Sequence, residues 1–71
     1  MMIGQQMREP VTVRCTILEE RAISLLIEQG NLRVWVPRSG CVQISKQNGR
    51  MASTILMPEW LAEAKELNAL A

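Results

Sequence analysis

Apolar and polar residues alternate along the first half of the chain. In the stretch VTVRCTIL (11–18), every second position from residue 11 to residue 17 is apolar: Val11, Val13, Cys15 and Ile17. The stretches AISLLIE (22–28) and LRVWV (32–36) continue the pattern, with apolar positions at Ile23, Leu25, Ile27, Leu32, Val34 and Val36. A period of two with many β-branched residues predicts half-buried strands whose apolar side chains share an inner face.

Turn-forming residues separate these stretches. The glycine of QGN (29–31) and the pair Asn48-Gly49 indicate hairpin turns. Pro37 has no backbone N–H to donate, so it is expected to end a strand. We predict five strands, over residues 10–18, 21–28, 31–37, 41–46 and 51–57, with Val42 and Ile44 facing inward in the fourth.

The residues after Met57 predict one helix. Pro58 suits a first helical position, Glu59 suits the positive end of the helix dipole, and PEWLAEAKELNALA (58–71) is rich in helix formers. We expect a helix over 58–70, ending at about residue 69 or 70. Its apolar side would carry Trp60, Leu61, Ala64, Leu67 and Ala71, and its other side Ala62, Lys65, Glu66 and Ala69. Trp60 is therefore predicted to be the buried anchor of the helix.

Short strands followed by a terminal helix predict a mainly β fold with one α-helix. Closure would remove exposed sheet edges, which favours a small five-stranded antiparallel SH3-like barrel closed by the C-terminal helix, with an OB-like barrel as the alternative. Residues 10–71 would form a single domain after a flexible lead-in, 1–9, in which Met7 is an alternative start to Met1. A chain of 71 residues buries only about 60% of its unfolded surface, so a homodimer is a further way to bury apolar area.

The composition favours binding over catalysis. The chain has no histidine and no aspartate, and it shows no phosphate-binding loop, nucleophile elbow or metal-ligand spacing. We therefore expect no enzymatic activity, no cofactor and no metal. Cys15 and Cys41 belong to no redox motif and are expected to be free thiols. With neither a signal-peptide pattern nor a membrane-spanning stretch, we expect a cytoplasmic protein without a membrane partner.

The central segment of the chain is mildly basic and contains a tryptophan. Residues 31–57 include no carboxylate, whereas they include Arg33, Arg38, Lys46 and Arg50. Alternation places Trp35 on the strand face opposite the inward valines. Either the helix or a second subunit buries Trp35, or the side chain is an exposed platform beside Arg33 and Arg38, suited to stacking on a base or docking a peptide. The candidate binding residues are Trp35, Arg33, Arg38, Lys46 and Arg50.

Two motifs resemble a loose group of small proteins from phages, prophages and plasmids. VWVPRS (34–39) is similar to their Trp-Val/Ile-Pro-Lys/Arg-Ser strand end, and MPEWLAEAKEL (57–67) to their closing Pro-Glu-Trp-Leu-Ala helix. The strand at 22–25 and Gly30 also match, so the resemblance covers about two thirds of the chain. The hairpin GCVQISKQNGRMAST (40–54) is longer than in that group. The resemblance implies a small inhibitor or adaptor in a bacterial host, of the kind that anti-CRISPR proteins represent.

Two functions fit these observations. The first is a non-enzymatic protein-binding module of a phage or mobile element, which inhibits a host defence or nucleic-acid enzyme by occupying its surface. The alternative is a small β-barrel that binds DNA or RNA, with Trp35 stacked on a base and the basic residues of 31–57 on phosphates. The net charge of +1 favours the first, because nucleic-acid-binding domains are usually more basic.

Overall fold

The computed structural model describes residues 9–70. Its strands are β1 (Val11–Glu20), β2 (Ser24–Gln29), β3 (Leu32–Pro37), β4 (Gln43–Ser45), β5 (Ser53–Met57) and β6 (Ala69–Leu70). A 3₁₀ turn, Arg38–Gly40, follows β3, and one α-helix, α1 (Glu59–Ala64), follows β5. Most of the predicted lead-in, and Ala71 of the predicted helix, lie outside the described residues. The predicted mainly β fold with one helix is confirmed.

All the strands pair antiparallel in one sheet of order β3-β2-β1-β5-β4, with β6 added to β1. The first half of β1 pairs with β5, and the second half pairs with β2. The register shifts between Ile17 and Glu19, which makes Leu18 the extra residue of a bulge. Within the described residues the strand order ends at β3 on one side and at β4 on the other, so the sheet is not closed and the predicted barrel is not confirmed.

The inner face of the sheet carries the core. Seven side chains on the strands are fully buried apolar groups: Val13, Cys15, Leu25, Ile27, Val36, Ile55 and Met57. Val11, Ile17, Leu32, Val34 and Ile44 are partly buried against them, as the alternation predicts. The prediction was wrong for Ile23 and Val42, which are 80% and 63% exposed. Both residues precede the start of their strand, β2 or β4, so their side chains lie beyond the edge of the core.

The helix is shorter than predicted and packs through other residues. Leu61 and Ala62 are its buried positions, whereas Ala64 is exposed and Trp60 is 65% exposed. The prediction that Trp60 anchors the helix was therefore wrong. Leu61 takes that place and lies so close to the 3₁₀ turn that a Cβ on Gly40 would be 2.8 Å from Leu61 Cδ2.

A Schellman motif ends α1 at Ala64, so the predicted extension to residue 69 or 70 was wrong. Glu66 has the left-handed φ of 60°. Its N–H donates to the Glu63 carbonyl at 3.0 Å, and the Leu67 N–H donates to the Ala62 carbonyl at 2.8 Å. The reversal turns Leu67 inward, where it is 7% exposed, and it brings Ala69–Leu70 alongside β1.

One side chain holds the segment between the helix and β6. The Gln29 Nε2 group, at the end of β2, donates to the Arg14 carbonyl at 3.0 Å and to the Asn68 carbonyl at 2.9 Å. Its Oε1 accepts the Asn68 N–H at 2.7 Å. Gln29 thereby links β1 to the residue before β6, on the edge of β1 that pairs with both β2 and β6. In the described part of the chain, neither helical segment has the length and apolar character needed to cross a membrane.

Replacing Glu66 by glycine is expected to stabilise the protein. Glycine adopts a left-handed φ without the steric cost that a side chain adds, and the change also removes a negative charge from the negative end of the helix dipole. The expected gain is about 1 kcal/mol in the free energy of unfolding, measured by urea denaturation. Glu63→Gly, inside α1, is the matched control and should cost about 1 kcal/mol. A loss of stability in Glu66→Gly would contradict the left-handed geometry.

Candidate partner-binding surface

Trp35 lies on the outer face of the sheet, at the middle of β3. It is opposite Leu26 of β2, which is in turn opposite Glu19 of β1. Trp35 is 38% exposed, and the neighbouring outward residue of β3, Arg33, is exposed as well. The indole is therefore neither buried in the core nor fully exposed. One part packs on the sheet, and the rest is open to a partner.

An arginine that the sequence did not single out stacks on this tryptophan. The guanidinium carbon of Arg21 is 5.0 Å from the centre of the Trp35 ring, within the range of a cation–π contact. Arg21 also forms an ion pair with Glu19. We use the name Trp35 surface for the outward residues joined by these contacts and by strand register: Glu19, Arg21, Leu26, Glu28, Arg33 and Trp35.

The turn that carries Arg21 is held by hydrogen bonds to its backbone groups. The Arg21 N–H donates to the Ser24 carbonyl at 2.8 Å, and Arg38 Nε donates to the Arg21 carbonyl at 2.7 Å. The Arg38 N–H donates in addition to the Ile23 carbonyl at 2.9 Å. Arg38, which the sequence offers as a contact residue, therefore fixes the turn beside Trp35.

Glutamates neutralise most of the predicted basic residues. Arg33 Nε is 2.9 Å from a carboxylate oxygen of Glu28, its cross-strand neighbour. Arg38 and Lys46 both bind Glu20, at the end of β1, and the hydrogen bond and charge of Lys46 hold the pKa of Glu20 below its usual value. Of the four basic residues proposed, Arg50 alone has no ion pair within residues 9–70.

The structure groups the five predicted site residues in three places. Trp35 and Arg33 lie side by side on β3, and Arg38 and Lys46 meet at Glu20. Arg50 lies in the turn before β5, next to Met51, whose N–H donates to Thr16 Oγ1 at 2.7 Å. A single basic patch around Trp35 is therefore not formed by these contacts.

Neither cysteine is placed as a nucleophile. Burial, with a further contribution from nearby Cys41, raises the pKa of Cys15 to about 11, so its thiol is protonated at neutral pH. Burial also raises the pKa of Cys41, whose Sγ donates to the Pro37 carbonyl at 3.4 Å. Among residues 9–70, no group of three or more Cys or Glu side chains could hold a metal ion.

The most exposed aromatic residue is the one that the sequence assigned to the core. Trp60 is 65% exposed on α1, compared with 38% for Trp35. The residues next to them in sequence do not reveal this difference, because an apolar residue follows each tryptophan and a charged residue lies within two positions before it. Trp60 belongs to no contact network of the Trp35 surface, and it therefore provides a matched control for experiments on Trp35.

The chain matches no protein-family model, no curated protein and no solved structure. Its function is accordingly inferred from the Trp35 surface and from the sequence.

Proposed function

We propose that this chain is a non-enzymatic protein-binding module of a phage or mobile element and that it binds its partner through the Trp35 surface. The observation that carries the proposal is the position of Trp35, which lies on the outer face, is partly exposed and is braced by Arg21 at 5.0 Å. Tryptophan and arginine dominate the energetic centres of protein interfaces. A braced ring also loses little conformational freedom on binding.

The charges of the Trp35 surface favour a protein partner over a nucleic acid. Arg21 and Arg33 each form an ion pair with a glutamate of the same surface, Glu19 or Glu28. Two positive and two negative charges leave it close to neutral. A phosphate backbone requires several unpaired cations, whereas an interface rim requires charges of both signs around an apolar centre. The ring of Trp35 and the side chain of Leu26 supply that centre.

The proposed partner is a host defence or nucleic-acid enzyme, and the proposed action is steric inhibition. This part of the proposal is supported by the resemblance of residues 34–39 and 57–67 to small phage and plasmid proteins. Residues 9–70 also offer no histidine, aspartate or activated thiol with which to modify a partner. A chain of 8.0 kDa can still cover an enzyme surface of ordinary interface size.

Replacing Trp35 by alanine is expected to weaken partner binding at least about tenfold, because an interface centred on an aromatic anchor loses its packed core. The tagged protein and its variants are used to capture partners from bacterial host lysate, and the affinity of the captured protein is then measured with purified components. Trp60→Ala is the matched control and should bind as the wild type does. Each variant is first checked for folding by a thermal melt.

Trp35→Ala should cost about 1–2 kcal/mol of stability, because the residue is 38% exposed and loses both its packing on the sheet and its stack with Arg21. A protein captured equally by the wild type and by Trp35→Ala would contradict the proposed surface. If Trp35→Ala captures the partner as well as the wild type does and Trp60→Ala does not, the binding surface lies on α1.

A further inference from the structure

The backbone of β3 has an outer edge that no described residue covers. β3 ends the strand order next to β2, and its six residues pair with β2 without a bulge. The opposite end of the sheet is blunted, because β4 has only three residues. An unbroken edge strand presents free donors and acceptors to another strand.

The direction of each backbone group on β3 follows from the hairpin. Gln29 and Leu32 close a two-residue turn at Gly30, whose φ of 62° suits the first position of a type II′ turn. Hydrogen-bonded pairs then alternate along the hairpin, so Leu32, Val34 and Val36 direct their N–H and C=O groups toward β2. The Arg38 N–H continues this series by donating to the Ile23 carbonyl at 2.9 Å. Arg33 and Trp35 therefore direct theirs to the free edge.

We propose that two copies of this chain pair through the β3 edge in an antiparallel fashion, with Val34 on the twofold axis and Arg33 of each copy opposite Trp35 of the other. This self-association does not require the partner proposed above, although it uses Arg33 and Trp35, which also belong to the Trp35 surface. It places about four backbone hydrogen bonds between the copies, all from Arg33 and Trp35. It also joins the two sheets into one, whose outer face carries two copies of the Trp35 surface.

Side-chain chemistry selects this register over the two symmetric registers centred on Arg33 or on Trp35. Placing Arg33 opposite its own copy would bring like charges together, which is destabilising. Placing Trp35 opposite its own copy would set Pro37, which has no N–H, against Arg33 inside the ladder. With Val34 on the axis, Pro37 lies at the end of the ladder, and each Arg33 directly faces an indole, within reach of a cation–π contact.

The inner face gains from the same arrangement. Val36 is fully buried, but Leu32 and Val34, nearer the turn, are only partly buried against the core. The twofold would bring Val34 next to its own copy and Leu32 next to Val36 of the partner, so apolar side chains exposed at the end of the sheet would cover one another. A domain of this size has a small core and gains proportionately from such burial.

The first test is the mass of the purified full chain in solution, measured by light scattering and sedimentation over a dilution series. We expect a species of twice 8.0 kDa at high concentration that dissociates on dilution. Arg33→Pro should weaken the dimer at least about tenfold, because symmetry removes two edge donors at once while no bond to β2 is lost. Arg33→Thr, which keeps the N–H, should weaken it less.

The second test reads the register and does not depend on the proline variant folding. Val34→Cys should form a disulfide-linked dimer under mild oxidation, since residues directly opposite in a non-hydrogen-bonded pair have the spacing of a disulfide. Leu32→Cys is the matched control on the same strand and face, and it should not cross-link, because its counterpart is Val36. A protein that remains at 8.0 kDa at every concentration, or equal cross-linking of the two variants, would overturn the proposal.

Discussion

Leu61→Ala is expected to destabilise the protein by about 2–5 kcal/mol, whereas Trp60→Ala, one residue earlier, should cost about 1 kcal/mol or less. Leu61 is 3% exposed and contacts the 3₁₀ turn at Gly40, so its removal leaves a cavity between α1 and the sheet. Trp60 is 65% exposed and leaves no cavity. Alanine is the best helix former, so neither change weakens α1 itself.

Thermal melts of Leu61→Ala and Trp60→Ala measure these losses of stability. A small domain has about 5 kcal/mol of stability and loses roughly 4–8 °C of melting temperature per kcal/mol, so Leu61→Ala should melt at least about 10 °C earlier than the wild type or fail to fold. Trp60→Ala should stay within a few degrees of the wild type. An equal loss in the two variants would mean that the helix packs through its tryptophan after all.

Gln29→Glu is the second large effect, with an expected cost of about 2–3 kcal/mol at neutral pH. The shape of the side chain is kept, but the two donors to the Arg14 and Asn68 carbonyls are replaced by a carboxylate oxygen that repels them. Hydrogen exchange should show faster opening at Asn68–Leu70 than in the wild type, because β6 depends on this side chain. Gln43→Glu, at an exposed position of β4, is the matched control and should change little.

The pH dependence of the Gln29→Glu variant provides a separate check. The protonated form of the introduced carboxyl can donate a hydrogen bond again, so folding raises its pKa above the unfolded value of about 4.3. The penalty relative to the wild type should therefore be small below that pH and should grow as the pH rises through the folded-state pKa. A penalty that does not vary with pH would show that the amide donors are unimportant.

The strands that alternation predicts best are those whose two faces differ most. β1 and β3 begin and end close to the predicted residues, because a period of two is a local signal that a single buried face enforces. The prediction that Ile23 and Val42 face inward was wrong. Both residues have the position in the alternation that would face the core. Where a strand starts, however, depends on which neighbouring strand is there to pair with it, and the alternation carries no information about that.

In the C-terminal segment, contacts with distant residues outweigh the local helix propensity. Residues 58–71 have high helix propensity throughout, and nothing in the sequence marks a stop at Ala64, since Glu66 takes the left-handed position that glycine usually fills. Burial of Leu67 and the pairing of β6 with β1 outweigh that propensity. Tertiary contacts of this kind regularly override an intrinsic preference worth under 1 kcal/mol per residue.

The sequence predicts which strand carries the candidate surface, but not which residues of other elements lie beside that strand. Arg33 and Trp35 share the outer face because they are two residues apart. Arg21, which stacks on Trp35, and Glu20, which binds both Arg38 and Lys46, come from the end of β1 and the turn after it. Linear spacing does not reveal that these positions lie beside β3 and β4, so the near-neutral charge of the surface emerges only from the folded chain.

The pairing of Thr12 and Val13 with Leu70 and Ala69 has a consequence for a chain still on the ribosome. The second half of β1 can join β2 and β3 as soon as residue 37 has left the exit tunnel. The first half, which carries the buried Val13, then has both edges open until β5 arrives on one side and β6 on the other. Because β6 lies at residues 69–70, this apolar strand is completed only when residue 70 has left the exit tunnel, and until then the nascent chain presents it to chaperones and to other nascent chains.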